Sequence, residues 1–263
     1  IASRRPMCGI AGIVAYRESA PRPDKAELLR IRDYMQRRGP DGSGEWFSSG
    51  ARAALGHRRL AIIDLNDRAA QPMQTIDGML SITFNGEIYN HVELRQRLEQ
   101  RGYVFRTTSD TEVLLHLYAD RGVEMFDDLR GMYAFAIWDE KRKGVLLARD
   151  PYGIKPLYYA DDGSTLRFAS QVRALHAGGG ISGEQDPAGL VGFYLWGSVP
   201  EPFTIYAGIC SLSAGTSMWV DATGTSVPRQ HFTIAKCWAD ASDAPLRLSQ
   251  PAAQKLASEA LRD

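Results

Sequence analysis

Met7-Cys8-Gly9-Ile10 opens the stretch that decides the fold, because it sets a cysteine directly after a methionine and at the head of the apolar run Cys8 to Tyr16. If translation starts at Met7 and that methionine is removed, Cys8 becomes residue one. Its α-amino group titrates near pH ~8 and its thiol near ~8.5, so some of the amine is neutral at pH 7 and can take the thiol proton. Nucleophile and general base then belong to one residue. The alternative is a small buried cysteine that begins a strand.

Composition limits the classes of partner. The chain has 263 residues, enough for one large domain or one domain with a fragment of another. Basic and acidic residues number 31 each, so we expect neither nucleic acid nor a membrane as a partner. The three cysteines, Cys8, Cys210 and Cys237, are too scattered for a disulfide framework and favour a cytoplasmic location. No apolar stretch reaches the roughly eighteen residues that span a bilayer.

The short motifs that often bind cofactors are weak in this chain. The glycine pattern from Gly178 to Gly183 follows a predicted short helix, Val172 to His176, rather than a strand, so we interpret it as a connection and not as a dinucleotide loop. No P-loop or HExxH motif occurs, and the five histidines show no ligand spacing. We therefore expect no cofactor and no metal in this part of the protein.

Hydrophobic patterning predicts more strands than helices. The predicted strands are Gly9 to Tyr16, Gly44 to Ser48, Ala53 to Ile63, Met79 to Asn85, Met132 to Asp139, Gly144 to Arg149, Leu157 to Tyr159 and Leu166 to Ala169. The main predicted helices are Lys25 to Arg37, His91 to Arg101 and Asp110 to Asp120. Ser109 with Glu112 three residues later predicts a capping box at the start of the third helix. Clusters of strands without βαβ alternation favour packed sheets with helices outside.

Five polar motifs lie at the ends of these predicted elements. In chain order they are Arg38-Gly39-Pro40-Asp41-Gly42, His57-Arg58-Arg59-Leu60-Ala61-Ile62-Ile63-Asp64, Asn85-Gly86-Glu87-Ile88-Tyr89-Asn90, Ser109-Asp110-Thr111-Glu112, and the run from Arg149 to Tyr159. Taken singly, each could be a surface turn. Taken together behind Cys8, they form a series that one chance match would not produce.

This series resembles the class II glutamine amidotransferase domain, most closely the glutaminase half of glutamine-dependent asparagine synthetase, from Met7 to about Val220. The resemblance implies an α+β fold, the four-layer αββα sandwich of N-terminal-nucleophile hydrolases with two antiparallel sheets. It divides the chain into a leader or cloning residue at 1–7, the amidotransferase domain at 8–220, and a linker with the start of a truncated synthetase domain at 221–263. Ala253 to Arg262 would be the first helix of that synthetase half.

By this resemblance the Cys8 thiol attacks the side-chain amide of glutamine, ammonia leaves, and water releases glutamate from the thioester. The Asn85 side-chain amide and the Gly86 backbone N–H would stabilise the oxyanion. Glycine at position 86 is expected to let the backbone approach the substrate. A leader on Cys8 would remove the general base, because a peptide nitrogen is not basic.

The resemblance also implies residues that hold the amino-acid end of glutamine. Arg59 matches the arginine that binds the carboxylate, and Asp110 the aspartate that binds the ammonium. Glu87 and the backbone of Ile62 and Ile63 belong to the same pocket. The alternatives are a solvated strand-edge arginine at position 59 and a purely helix-capping role for Asp110. Arg58 is expected to be solvated on the opposite face of the strand.

The acceptor of the ammonia stays open at this point. In a complete asparagine synthetase, ATP and magnesium would activate aspartate in the downstream domain, and a homodimer is possible. The alternatives are a catalytically silent glutamine-binding domain and the glutaminase domain of an amidotransferase with another acceptor. Two departures from the family pattern are Arg37, where histidine is common, and the stretch Ser211 to Gly215.

Overall fold

The computed structural model describes residues 7–60, 69–243 and 247–260 of the chain. The chain divides into two compact units, Ile1–His231 and Phe232–Asp263. Every strand given below lies in the first unit. The second unit contains two helices, and neither has a buried residue.

Short strands make up most of the first unit. In chain order they are β1 (Gly9–Ala15), β2 (Gly42–Phe47), β3 (Ala53–Arg59), β4 (Met73–Gln74), β5 (Leu80–Ile88), β6 (Gly131–Asp139), β7 (Gly144–Arg149), β8 (Tyr158–Asp161), β9 (Thr165–Ala169), β10 (Cys210–Ser211), β11 (Thr216–Asp221), β12 (Gly224–Thr225) and β13 (Arg229–Gln230). Eight of them match the predicted strands to within a few residues. The third predicted strand is observed from Ala53 to Arg59, and the part of the prediction from Ala61 to Ile63 lies outside the described residues.

The helices are α1 (Lys25–Tyr34), α2 (His91–Gln100), α3 (Asp110–Arg121), α4 (Val172–Ala177) and α5 (Pro187–Trp196) in the first unit, with α6 (Ile234–Asp243) and α7 (Gln250–Ala260) in the second. The predicted helices at α1 to α4 are confirmed. The helix predicted over Ala253 to Arg262 begins earlier, at Gln250. None of the helices among the described residues is long and apolar enough to cross a membrane.

The strands form two antiparallel sheets. The first sheet has the order β10-β8-β9-β1-β3-β2. The second sheet has the order β12-β11-β7-β6-β5-β4, with β13 also paired to β11. Because β12 and β13 pair with β11, the first unit extends to His231, beyond the predicted end of the amidotransferase domain at Val220.

Both faces of the central strands are buried, and alternate residues point to opposite sides. In β6, Ala136 and Trp138 face the core between the two sheets, whereas Phe135 and Ile137 face a second core that includes residues of α2 and α3. The faces of β1 are divided in the same way. Burial on both faces explains why these antiparallel strands read as continuous apolar runs.

Three apolar cores therefore separate four layers. The core between the sheets contains Ile10, Leu55 and Phe168, and a third core packs α1 and α4 on the outer face of the first sheet. Helices thus cover both outer faces of the sheet pair. The predicted α+β fold, a four-layer αββα sandwich with two antiparallel sheets, is confirmed.

The start of α3 differs from the predicted capping box. Ser109 caps the helix as expected, accepting the N–H of Thr111 at 3.2 Å. The Glu112 carboxylate does not return to the N–H of Ser109. It accepts the N–H groups of Arg106 and Thr107 at 2.8 to 3.1 Å instead, because the loop before the helix folds back over it. The reciprocal half of the prediction is wrong, and Glu112 clamps the loop.

Candidate active site

A cavity of about 100 Å³ lies where the start of β1, the end of β3 and the last part of β5 meet the start of α3. It is smaller than the roughly 300–1,000 Å³ typical of pockets for drug-sized ligands. Six of the predicted site residues line it: Cys8, Arg59, Asn85, Gly86, Glu87 and Asp110. Ile62 and Ile63 lie outside the described residues.

Cys8 immediately precedes β1. The pairing of Gly9 with Arg58 continues the register so that Cys8 lies opposite Arg59. The Cys8 Sγ accepts the N–H of Leu60 at 3.3 Å. Burial raises the pKa of the Cys8 thiol, against the opposing effects of that N–H and of the cations Lys155, Arg59 and Arg38. The cysteine is therefore predominantly protonated at neutral pH and needs a base before it can act as a nucleophile.

The loop that begins at Arg38 holds the residues around Cys8. The guanidinium of Arg38 donates to the Cys8 carbonyl oxygen through Nε and Nη2, both at 3.2 Å, and the Arg38 carbonyl accepts the N–H of Met7 at 2.8 Å. Gly39 is required because a Cβ there would lie 2.4 Å from the Arg58 carbonyl oxygen. The loop thus fixes the chain on both sides of the Met7–Cys8 bond.

Asn85 faces the space between the sheets from β5. Its side chain is 1% exposed, and its Nδ2 has no hydrogen-bond partner among the described residues. A buried donor without a partner costs about 1–3 kcal/mol of stability, so its retention points to a ligand that supplies the acceptor. The direction of the Asn85 side chain agrees with that of Thr83, which lies two residues earlier on the same face of β5. The Thr83 hydroxyl donates to the Gly56 carbonyl oxygen of the first sheet at 3.1 Å.

Strand alternation directs the Gly86 N–H to the cavity side of β5. The N–H groups two residues before and after it, at Phe84 and Ile88, bond to the side chains of Gln71 and Asp110 at 2.6 and 3.0 Å. Packing also requires glycine at position 86. A Cβ there would lie 2.2 Å from the Met132 carbonyl oxygen, so the neighbouring strand excludes a side chain.

Arg59 lines the cavity, whereas its neighbour Arg58 points to the outer face of the first sheet. The expectation that Arg58 is solvated is wrong. It is 8% exposed, because α1 covers this face, and its Nη1 lies 3.5 Å from Asp33 Oδ1. Adjacent arginines thus have separate environments.

Asp110 is buried at the first turn of α3, 4% exposed, and its Oδ2 accepts the N–H of Ile88 at 3.0 Å. Burial raises the pKa of Asp110, and the nearby Glu87 adds to this effect, while the Ile88 N–H and His91 oppose it. Ser109 is the N-cap residue of α3, and Asp110, which follows it, also ties the end of β5 to the helix start. A cationic group bound between Glu87 and Asp110 would be favoured electrostatically.

Several cavity residues were not predicted as site residues. His57 lies two residues before Arg59 in β3, so both side chains point to the cavity side of the strand. The His57 Nε2–H donates to the Phe84 carbonyl oxygen at 3.1 Å. Burial lowers the pKa of His57 to about 4, so the ring is neutral at pH 7. Alternation along β3 could have identified it. Lys155 and Gln71 also line the cavity, and nothing in the spacing of either residue indicated this.

The cavity thus brings together a thiol, the Asn85 Nδ2 that has no partner among the described residues, the cations Arg59 and Lys155, and the carboxylates Glu87 and Asp110. Among the described residues, no group of three or more histidine, cysteine, aspartate or glutamate side chains is placed to hold a metal ion.

The four-layer αββα sandwich of two antiparallel sheets is the fold of the N-terminal-nucleophile hydrolases. Glutamine phosphoribosylpyrophosphate amidotransferase from Bacillus subtilis, solved with ADP and GMP, has this fold with a TM-score of 0.63 and 23% identity, over 85% of this chain and 49% of its own. The family model of the glutamine amidotransferase domain matches residues 7–233. The chain belongs to that family.

Its relatives include longer proteins. Asparagine synthetase [glutamine-hydrolyzing] 3 of Bacillus subtilis is 37% identical over 226 residues, which are 85% of this chain and 36% of the relative. Asparagine synthetase B [glutamine-hydrolyzing] of Escherichia coli is 42% identical over 170 residues, 64% of this chain and 30% of the relative. The chain thus spans about a third of the length of these relatives.

Proposed function

We propose that this chain is the glutaminase domain of a glutamine-hydrolysing asparagine synthetase. The observation that carries the proposal is the cavity itself, in which the Cys8 thiol, the unpaired Asn85 amide and the Gly86 N–H lie together with Arg59 and Asp110. Family membership supports the same reaction class.

Glutamine fits the polarity of this cavity. Its α-carboxylate suits the planar guanidinium of Arg59, and its α-ammonium suits the carboxylates of Asp110 and Glu87. Binding the ammonium also offsets the burial cost of the Asp110 charge. The side-chain amide then points towards Cys8.

The reaction proceeds in two halves. The Cys8 sulfur attacks the amide carbon, and the oxyanion is stabilised by the Asn85 Nδ2 and the Gly86 N–H. The tetrahedral intermediate collapses, the C–N bond breaks, and the leaving nitrogen takes a proton and departs as ammonia. Water then attacks the thioester, the C–S bond breaks, and glutamate leaves with Cys8 restored. No cofactor is required in this chain.

The general base is the α-amino group of Cys8 after removal of Met7. Burial raises the pKa of the thiol, so a base beside it is needed. The only histidine that lines the cavity among the described residues, His57, donates its Nε2–H to the Phe84 carbonyl oxygen and lies in β3. A free amine on Cys8 itself needs no further residue.

The acceptor half would follow this domain in the longer protein, where ATP and magnesium would activate aspartate. The exposed apolar end of α5 supports this part of the proposal, because Tyr194, Leu195 and Trp196 are 70–83% exposed. A following domain would cover such a surface. The free cysteines support a cytoplasmic location.

The test compares three proteins that begin at residue 8. We expect the parent to release glutamate and ammonia from glutamine, and Cys8→Ala to fall to background. Cys237→Ala, which changes an exposed cysteine, is the matched control and keeps the parent rate. Residual activity of Cys8→Ala close to that of the parent would refute the nucleophile assignment. Glutamine that raises the Tm of the parent without being hydrolysed would instead identify a silent binding domain.

A further inference from the structure

Lys155 is a buried cation in the cavity that the proposed reaction does not use. Lys155 is only 7% exposed, and it lines the same cavity as Cys8 and Asn85. Burial lowers the pKa of Lys155, while the nearby Cys8, Asp150 and Glu87 oppose that change. Lysines are rarely buried unless paired, so this ammonium needs a functional partner.

A rigid turn holds the backbone of Lys155. The fully buried Asp150 accepts the Lys155 N–H at 2.9 Å through Oδ2, and the N–H groups of Tyr152 and Ile154 at 3.0 Å through Oδ1. Arg149 donates from Nε to the Lys155 carbonyl at 2.8 Å. The motif that begins at Arg149 therefore fixes where the lysine side chain starts.

The ammonium itself has a poor partner. Among the described residues, its hydrogen bond goes to the Met7 Sδ, at 3.7 Å. A thioether sulfur is a weak acceptor, and an ammonium carries three donors. Met7 is the residue whose removal the proposed function requires. That removal would take the sulfur acceptor away from the ammonium, whose residue lines the same cavity as Cys8.

We propose that Lys155 is a positioning residue for the glutaminase reaction: once Met7 has been removed, its ammonium stabilises the thiolate that forms when the Cys8 α-amino group takes the thiol proton. The proposal rests on the proposed role of Cys8 as the nucleophile.

Other charged groups also face Cys8. Arg38 is engaged with the Cys8 carbonyl oxygen, and Arg59 is assigned to the substrate carboxylate. Glu87 and Asp110 also line the cavity, but neither is among the groups that shift the pKa of the Cys8 thiol. His57 is neutral at pH 7 and adds no charge. Of the cations that oppose the effect of burial on the thiol pKa, Lys155 has the largest influence.

The direct test measures thiolate formation rather than glutamine hydrolysis. Protein that begins at Cys8 is alkylated with iodoacetamide, an uncharged reagent, at a series of pH values, and modification of the N-terminal peptide is followed by mass spectrometry. In Lys155→Met we expect the half-maximal pH to rise by about one pH unit or more, so that the rate at pH 7 falls about tenfold. Lys155→Arg keeps the charge and restores most of the parent profile.

Lys141→Met removes an exposed lysine and is the matched control, with an unchanged alkylation profile. Lys155→Gln repeats the measurement in case the methionine variant does not fold. An unchanged profile in a folded neutral variant would overturn the proposal, as would a Lys155→Arg profile equal to that of the neutral variant. If the profile shifts as expected but the parent does not hydrolyse glutamine, the electrostatic role stands and the proposed function fails.

Discussion

Arg58 and Arg59 are neighbours in sequence but lie in different layers of the molecule. Arg59 lines the cavity between the sheets, and Arg58 lies under α1 with its guanidinium beside Asp33. This separation follows from the alternation of side chains along β3. It also provides a pair of substitutions of identical chemistry, one inside the site and one outside it.

We expect Arg59→Ala to raise the KM for glutamine by about 10- to 100-fold, because a charge-assisted contact contributes about 1.5–3 kcal/mol. Arg58→Ala loses a buried stem and an ion pair, so it lowers the Tm and leaves the KM within about twofold. Steady-state kinetics and thermal unfolding of both variants provide the check. If both arginines change the KM equally, the assignment of Arg59 to the substrate carboxylate is wrong.

The sequence predicted the opposite directions of these two arginines, because alternation is a local property. It did not predict that Arg58 is buried, since the covering helix comes from a distant part of the chain. Asn85 shows the same limit. Its position at the end of an apolar strand is visible in the sequence, but the absence of a partner for its Nδ2 depends on every neighbour in the described fold.

At the scale of elements, the start of α3 depends on one carboxylate. Burial opposes the ionisation of Glu112, but the His116 ring, whose Nε2 lies 3.8 Å from Glu112 Oε1, and hydrogen bonds from the Thr107 hydroxyl and from the backbone of Arg106 and Thr107 outweigh it and lower the pKa to about 2. The clamp fixes the loop that leads into Ser109 and Asp110. The helix start that presents Asp110 to the cavity therefore depends on Glu112 being charged.

This arrangement predicts a pH dependence of stability. In the unfolded chain Glu112 has a pKa near ~4.3, so its contribution is fully present above that pH and is lost as the pH falls towards 2. We expect Glu112→Gln to lower the free energy of unfolding at pH 7 by about 1.5–3 kcal/mol and to flatten its decline between pH 5 and 2. Urea unfolding at several pH values measures both effects.

Glu124→Gln changes an exposed glutamate and is the control for this experiment. It should keep the parent stability and the parent pH profile. A Glu112→Gln protein that loses stability in parallel with the parent on acidification would show that another carboxylate causes the acid sensitivity.

Sequence patterns located most elements but not all of them. The predicted start of α3 at Asp110 is confirmed, because an N-cap serine followed by apolar residues is a local signal. The sequence did not predict α5, whose apolar residues occur around the whole helix and leave no helical period to detect. The two-residue strand β10 exists only through pairing with the distant β8 and has no pattern of its own.

In the whole molecule, the two sheets bring together residues from distant segments. Cys8 comes from the first sheet and Asn85 from the second, so their separation depends on the core between the sheets. Phe168 of β9 fills this core beside Gly12 of β1, where an added Cβ would lie 2.2 Å from the Phe168 Cζ. The strand that follows Cys8 therefore rests directly on this aromatic ring.

We expect Phe168→Ala to lower the free energy of unfolding by about 3–5 kcal/mol and also to reduce kcat/KM for glutamine, because the cavity it leaves lets β1 shift. Leu98→Ala in the outer core also lowers stability, by about 2–5 kcal/mol, but leaves kcat/KM close to the parent value. Both are measured below the Tm of the less stable variant. Equal kinetic effects would mean that the inner core does not position the site.

The strand pairing behind this arrangement could not be predicted from the patterns. β1 pairs with β3 on one side and with β9 on the other, and these strands begin at positions 53 and 165. Periodicity identifies each strand singly and does not state its neighbours. The predicted fold class came from the order of the motifs and their resemblance to a family, and the packing that makes Lys155 a neighbour of Cys8 became visible only in three dimensions.

The Met7 contacts have a practical consequence for anyone who prepares this protein. The backbone of Met7 is tied to Arg38, and its side chain forms part of the cavity wall. Under the proposed chemistry, an affinity tag fused ahead of Cys8 would yield a folded, pure and inert sample. The specific activity of a batch would then be proportional to the fraction of molecules with a free Cys8 amine. A tag therefore belongs at the C-terminus, and turnover numbers should be divided by that fraction, measured by mass spectrometry of the N-terminus.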